Sequence, residues 1–246
     1  HVSVPRGVIF VPDDYEKIQW AINNASAGDT IVVRDGVYYE NIDINKPHLT
    51  IKSENGSANC IVRAANPNDH VFYVTADNVT IKGFTVTGAY PKAGVYLYNS
   101  NYSRIENVNT PNNYHGIYLY SSSNNVITNN TASSNDVDGI YLRYSSNNTI
   151  ANNNVSSNDV DGICLWYSSN NIIANNNVSS NNLGDGISLF SSSSNTIANN
   201  NISSNNDDGI HLDSSSNNII TDNTISLNNN DGIFLYPSSS NNTIAN

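Results

Sequence analysis

Apolar residues in this chain come in short pulses that return at a fixed interval. In Ile140-Tyr-Leu-Arg143, Ile140 and Leu142 alternate with Tyr141 and Arg143, the period-two signature of a half-buried strand. Ile150 and Val155 mark two further short strands, separated by Asn and Ser, whose side chains bond nearby backbone groups and so favour turns. The same text restarts at Asp138, Asp161, Asp185, Asp208 and Asp231, in steps of 23, 24, 23 and 23 residues. Looser copies precede it at His115-Gly-Ile-Tyr-Leu-Tyr and Ala93-Gly-Val-Tyr-Leu-Tyr. Self-similarity at such a period means stacked supersecondary units. Three strands and three turns make one triangular coil, and coils pair in parallel about 4.8 Å apart. The expected fold is therefore all-β, a right-handed single-stranded parallel β-helix.

Two rivals share the period. A leucine-rich repeat needs a helix or extended segment on its convex side, for which Ser-Ser-Asn-Asn runs are poor material. A left-handed β-helix would show a hexapeptide rhythm, which is absent. Stacking puts three apolar columns inside: Ile117/Ile140/Ile163/Ile187/Ile210/Ile233, Leu119/Leu142/Leu165/Leu189/Leu212/Leu235 and Ile127/Ile150/Ile173/Ile197/Ile220/Ile244. Asn pairs such as Asn124-Asn125, Asn147-Asn148 and Asn170-Asn171 recur at one turn, where stacked amides would bond along the axis.

Before the regular repeat, residues 9–12 read as a first strand and Asp13 to Ile22 as a helix. Asp13 or Asp14 suits the N-cap, Glu16 the first turn, and Ile18, Ala21 and Ile22 share a face. Residues 1–29 are thus expected to cap the open end of the solenoid, with residues 30–246 forming the β-helix. The last residue, Asn246, falls inside a coil, so further repeats or domains are expected beyond it.

Charge changes the picture of partners. The formal net charge is −11, and no Lys or Arg follows Arg143. Nucleic acid and acidic lipid need clustered cations, so neither is an expected partner. Neutral or cationic ligands suit the surface better, and no apolar run approaches membrane-spanning length. Cys60 and Cys164 lie four to five coils apart, too far for a disulfide. Ten Asn fit the N-x-Ser/Thr acceptor pattern: Asn24, Asn55, Asn78, Asn101, Asn129, Asn147, Asn154, Asn177, Asn201 and Asn241. An Asn- and Ser-rich repeat also makes such matches by accident, and some of these Asn are expected inside the turn ladder.

Candidate chemistry sits on the first strand of each coil. The residues after each inward Ile form an outward column Tyr96, Tyr118, Tyr141, Cys164, Ser188, His211, Phe234. Those after each inward Leu form a second: Tyr98, Tyr120, Arg143, Trp166, Phe190, Asp213, Tyr236. The aromatic stripe suits stacking on sugar faces or packing on a protein partner, and it equally suits packing on itself. The candidate ligand-binding set is Tyr98, Tyr120, Tyr141, Arg143, Trp166, Phe190, His211 and Asp213. Beside it, Asp138, Asp161, Asp185, Asp208 and Asp231 repeat before Gly. Asp there suits a turn that bonds its own backbone and a Gly of positive φ, and Asp138, Asp161 and Asp185 are metal candidates for Ca2+; no other cofactor is expected. The catalytic candidates are Asp185, Asp208, His211 and Asp213, because glycosidase chemistry needs a carboxyl pair. A Cys164 or Ser188 nucleophile with His211 as base lacks an oxyanion donor and has only coil spacing to recommend it.

The opening also resembles a known family. Val11-Pro-Asp-Asp-Tyr, Ile18-Gln, Ala21-Ile, Ala27-Gly-Asp-Thr-Ile-Val-Val-Arg-Asp-Gly-Val-Tyr and Glu40-Asn are similar to the start of NosD-like carbohydrate-binding and sugar-hydrolysis domains. The Gly-Ile-x-Leu coils look like that family's repeats, and the likeness is strongest to archaeal cell-surface members. The resemblance implies a β-helix outside the membrane and an association with glycans, but no particular reaction. The Gly-His-Gly and Arg-x-Lys of polygalacturonases and the Asp-Pro-His-Glu of alginate epimerases are missing. The expected function is an extracellular, non-enzymatic surface module that binds polysaccharide or a surface protein through the stripe. A polysaccharide hydrolase or lyase using the same face, and a structural envelope spacer, are the alternatives.

Overall fold

In the computed structural model, which describes residues 7–245, nearly every strand is three or four residues long and pairs in parallel with its counterpart one coil away. One face is an eleven-stranded sheet running from Val8–Val11 through Thr30–Val33 and Thr149–Ala151 to Thr243–Ala245. A second, of nine strands, runs from Ile42–Ile44 through Ile140–Arg143 to Ile233–Leu235. The third face is divided: Gly36–Tyr39, Cys60–Arg63 and Thr85–Thr87 form one piece, and five strands from Thr131–Ser133 to Thr224–Ser226 form the other. Single bridges through Asn109 join the two pieces. This is the single-stranded parallel β-helix the period required, right-handed as parallel crossovers are.

The registers match the columns read from the sequence. Ile140 pairs with Ile163 and Leu142 with Leu165, and Ile150 pairs with Ile173. All are fully buried, because alternation sends them inside while like side chains stack on like.

The turns are more regular than the sequence suggested. Besides the Asp before each Gly, four residues per coil, here Ser145, Asn148, Asn153 and Asn158, are buried polar groups. Each follows a residue of positive φ: Tyr144 at 52°, Asn147 at 59°, Asn152 at 58° and Ser157 at 57°. That kink swings the next side chain inward, where it stacks on its equivalent in the next coil. Asn148, for example, accepts the backbone N–H of Asn125, while its own N–H reaches Asn171 Oδ1. Where one Asn ladder was expected, three run beside a Ser ladder, satisfying buried backbone groups that short strands leave unpaired.

Two expectations need correction. The glycines after the Asp column do not adopt positive φ. Gly139, Gly162, Gly186 and Gly209 are needed because coils approach too closely there for a side chain. A Cβ on Gly162 would lie 2.6 Å from the Gly186 carbonyl oxygen and 2.8 Å from Asn181 Nδ2. The helix spans Ile18–Asn24 rather than starting at Asp13. Asp13 pairs with Arg34, and Asp14 accepts the Phe10 N–H, so neither caps it. Glu40, buried one coil later, does so instead, accepting the N–H of Ile18 at 2.9 Å and of Gln19 at 3.0 Å. Ile18, Ala21 and Ile22 are the buried face, as expected. The first six residues of the expected cap segment and Asn246 lie outside the described residues.

The ladder Asn are not the glycan-acceptor Asn. Nine of the ten acceptor-pattern residues are exposed and Asn101 is half-buried, against the expectation that some would point inward.

Candidate functional site

The nine-stranded face carries both expected outward columns in register. Tyr118, Tyr141, Cys164 and Ser188 stand side by side, as do Tyr120, Arg143, Trp166 and Phe190. Toward the N-terminal end the rings pack on one another. Tyr73–Tyr96 and Tyr118–Tyr141 are stacked at 5.4 and 4.8 Å between centroids, and Tyr98–Tyr120 at 5.6 Å. The guanidinium of Arg143 lies over Tyr144 and Tyr120. There the stripe is largely self-satisfied.

His70 closes the N-terminal end of this stack, 4.2 Å from the Tyr96 ring, and its Nδ1 accepts the Ala93 N–H. Burial, with Lys92 nearby, pushes its pKa down to about 4. The folded protein therefore binds fewer protons than the unfolded chain between about pH 4 and the ordinary histidine value near 6.5. Stability from this group is full above that window and is lost as pH falls through it. Partial exposure screens the effect to on the order of 2 kcal/mol. Melting the parent and His70→Gln from pH 7.5 to 4 should show the parent's advantage shrinking toward pH 4. A constant difference would refute the assignment.

Around Trp166 the stripe changes character. The first column shrinks to Cys164 and Ser188, which keep the outward register of Tyr141 but are buried. Their small side chains sit beneath the turn carboxylates, and Ser188 Oγ donates to Asp161 Oδ2 at 2.5 Å. The step from Tyr141 to these small residues opens a trough of about 450 Å³ lined by His115, Val137, Asp138, Tyr141, Val160, Asp161, Cys164, Trp166, Asp185 and Phe190. Trp166 is 40% exposed, with its ring 5.3 Å from Phe190. The sequence missed His115 as a site residue, although it stands where later coils carry Asp. It also missed that two small residues among aromatics make a hollow.

The Asp column forms a ladder of its own. Oδ1 of Asp138, Asp161, Asp185 and Asp208 accepts the backbone N–H of the next Asp, at 2.9–3.1 Å. The second oxygens differ. Asp138 Oδ2 faces His115 Nδ1 at 3.3 Å, and Asp161 Oδ2 takes Ser188. Asp185 and Asp208 both turn toward His211 Nδ1, at 3.5 and 3.2 Å. Burial, then the Asp138 charge, pushes Asp161 up to about 6. Burial, then Asp161, pushes Asp185 up to about 8. Perturbed carboxyls in a hollow are a mark of functional sites.

Of the catalytic candidates, Asp185, Asp208 and His211 come together, while Asp213 turns away to Ser214 and Ser238. Of the metal candidates, Asp185 alone belongs to a three-donor cluster among the described residues. Ser188 bonds Asp161 rather than His211, so no nucleophile–base pair forms here. Both cysteines are buried thiols with pKa values raised by burial, Cys60 to about 12.

The coil and the aromatic-rimmed trough define a class, the parallel β-helix with a long open face. The chain belongs to the NosD family, described as periplasmic copper-binding protein, whose model matches residues 22–200 and again 161–246. A cell surface glycoprotein of Methanothermus fervidus is 42% identical over 87 residues, which is 35% of this chain and 14% of that protein. The match thus spans a small part of the relative. Both descriptions place these proteins outside the cytoplasm, in agreement with the compartment read from the resemblance, and among the described residues no helix is long and apolar enough to cross a membrane. Among solved structures, the A-module of an Azotobacter vinelandii mannuronan C-5 epimerase superposes with a TM-score of 0.82 at 18% identity. It covers 98% of this chain and 74% of its own. Pectate lyase Pel9A superposes at 0.70 and 16%, covering 98% of this chain and 79% of its own. At these identities the likeness concerns the fold.

The family's description names copper. Cu(I) asks for sulfur, yet the chain has no methionine and neither cysteine joins a donor cluster among the described residues. Asp185, Asp208 and His211 are an oxygen and nitrogen set, which fits a divalent ion such as Cu(II) and does not fit Cu(I).

Proposed function

We propose that this chain is a non-enzymatic, cell-surface β-helix module that binds a neutral glycan along the trough at Trp166. One observation carries the reading: an exposed indole beside Phe190 walls a hollow whose other lining includes Asp138, Asp161 and Asp185. A sugar ring matches both features. Its C–H face lies against an aromatic ring, and its hydroxyls donate to carboxylates. An exposed Trp adds little to the fold, so its exposure asks for a partner. Charge selects among glycans. With a net charge of −11 and no Lys or Arg beyond Arg143, acidic polymers are repelled and neutral chains are not. Surface location and carbohydrate-active neighbours support the same reading.

Trp166→Ala should weaken retention on the bound polysaccharide by about 1–3 kcal/mol while leaving folding nearly intact. A panel of neutral and acidic polysaccharides, assayed for retention and for new reducing ends, checks this. New reducing ends that vanish in Asp208→Ala and His211→Ala would make the protein an enzyme. Parent-like binding by a Trp166→Ala chain that unfolds several degrees earlier would make the stripe packing alone.

A further inference from the structure

We propose that Asp185, Asp208 and His211 form a binding site for one divalent transition-metal ion, of the zinc type, beside the glycan trough. Each donor comes from the nine-stranded face or the turn leading into it. His211 lies on Ile210–Asp213, Asp208 in the turn before that strand, and Asp185 in the same turn one coil earlier. Their ligand atoms already lie within 4.8 Å of one another. The two contacts from His211 Nδ1, 3.2 and 3.5 Å, suit a shared ion, because ligands held at about 2.1 Å in tetrahedral or octahedral order stand roughly 3.0–3.4 Å apart.

Several observations separate this cluster from an ordinary acidic surface. The Asp185 and Asp208 side chains are only 8% and 3% exposed, and no Lys or Arg follows Arg143 to balance them. No hydrogen bond reaches Asp185 Oδ2 among the described residues, although its Oδ1 is held by the Asp208 N–H. Phe190, Phe234 and Tyr236 pack around the imidazole at 5.3–5.7 Å and shield it from water, as the shell of a metal centre does. Asp138 and Asp161 lack this arrangement, since their second oxygens face His115 and Ser188.

The donor set also selects the ion. Two carboxylates and one imidazole fall short of the six to eight oxygens calcium takes. A borderline cation accepts nitrogen and oxygen together, with Cu2+ at least as tight as Zn2+ and Mn2+ weaker.

The test uses the untagged chain, stripped with chelator, in the absence of any glycan. Titration calorimetry with Zn2+, Cu2+, Mn2+ and Ca2+ should show one Zn2+ per chain, with Ca2+ weakest, and Zn2+ should raise the melting temperature. His211→Gln and Asp208→Asn should each weaken Zn2+ by at least about tenfold, whereas Asp213→Asn and Trp166→Ala should bind as the parent does. Asn at 208 can still accept the Asp231 N–H, so this variant keeps the ladder and should fold even if His211→Gln does not. No saturable Zn2+ binding, parent-like binding in Asp208→Asn, or Ca2+ tighter than Zn2+ would overturn the proposal. The assay omits glycan, so its failure would leave the glycan reading standing, and the reverse holds for Trp166→Ala.

Discussion

Leu165→Ala is expected to lower the stability of the coil stack by about 2–5 kcal/mol, the range for truncating a fully buried leucine. Leu165 is completely enclosed. Leu142 lies directly below it and Leu189 above it. Parallel coils are held at fixed spacing by backbone hydrogen bonds, so the walls of the new cavity cannot close in, and the cost should fall in the upper part of the range. Because each coil touches mainly its neighbours, the lost energy belongs to two interfaces. Urea denaturation of parent and variant measures it. A loss well under about 1 kcal/mol would mean that this column is not core.

Asn171→Ala should be about as costly, through polar rather than apolar chemistry. Asn171 Oδ1 accepts the Asn148 backbone N–H at 2.8 Å and its side-chain amide at 3.2 Å. Its Nδ2 donates to the Ser145 carbonyl at 3.1 Å and to Asn195 Oδ1 at 3.2 Å. All three partner residues are buried. Truncation strands a backbone N–H and a backbone C=O out of reach of water, at about 1–3 kcal/mol each and so about 2–6 kcal/mol together. Asn177→Ala, on the exposed outer face, should change stability by less than about 0.5 kcal/mol. Equal losses in the two variants would mean that the buried ladder contributes nothing special.

The sequence and the structure agree most closely where a residue's fate depends on its column. Ile163 and Leu165 are inside because every coil repeats their phase, and a period-two pattern leaves no other choice. Trp166 stands exposed for the same reason. What stayed hidden depends on contacts between residues far apart in the chain. Glu40 caps a helix 22 residues earlier, and nothing local to Asp13 or Asp14 announces that those acids are committed elsewhere. Gly162 looks like a turn glycine until the Gly186 carbonyl is seen pressed against it. Asp161 and Asp185 occupy equivalent positions, yet one second oxygen meets a serine and the other a histidine. Register places the carboxylates in a column. The neighbour one coil on decides what each can do.

The Asn ladders point one way. Each Asn offers its oxygen toward the N-terminal coil, as Asn148 does to Asn125 and Asn171 to Asn148. Every coil thus ends in the same set of donors and acceptors that the coil before it began with. A whole unit of 23 residues can be duplicated or excised in the gene, and the cut surfaces still recognise one another. A single inserted residue is tolerated only where a turn can swallow it, as at Gly184 in the one 24-residue step between Asp columns. Length is accordingly a trait that recombination between near-identical repeats can adjust in steps of about 4.8 Å, without any new fold having to evolve. The trough, which depends on Cys164, Ser188 and Trp166 breaking the pattern, would be erased by the same exchange. Selection for a ligand site should therefore appear as divergence among coils that are otherwise free to become copies.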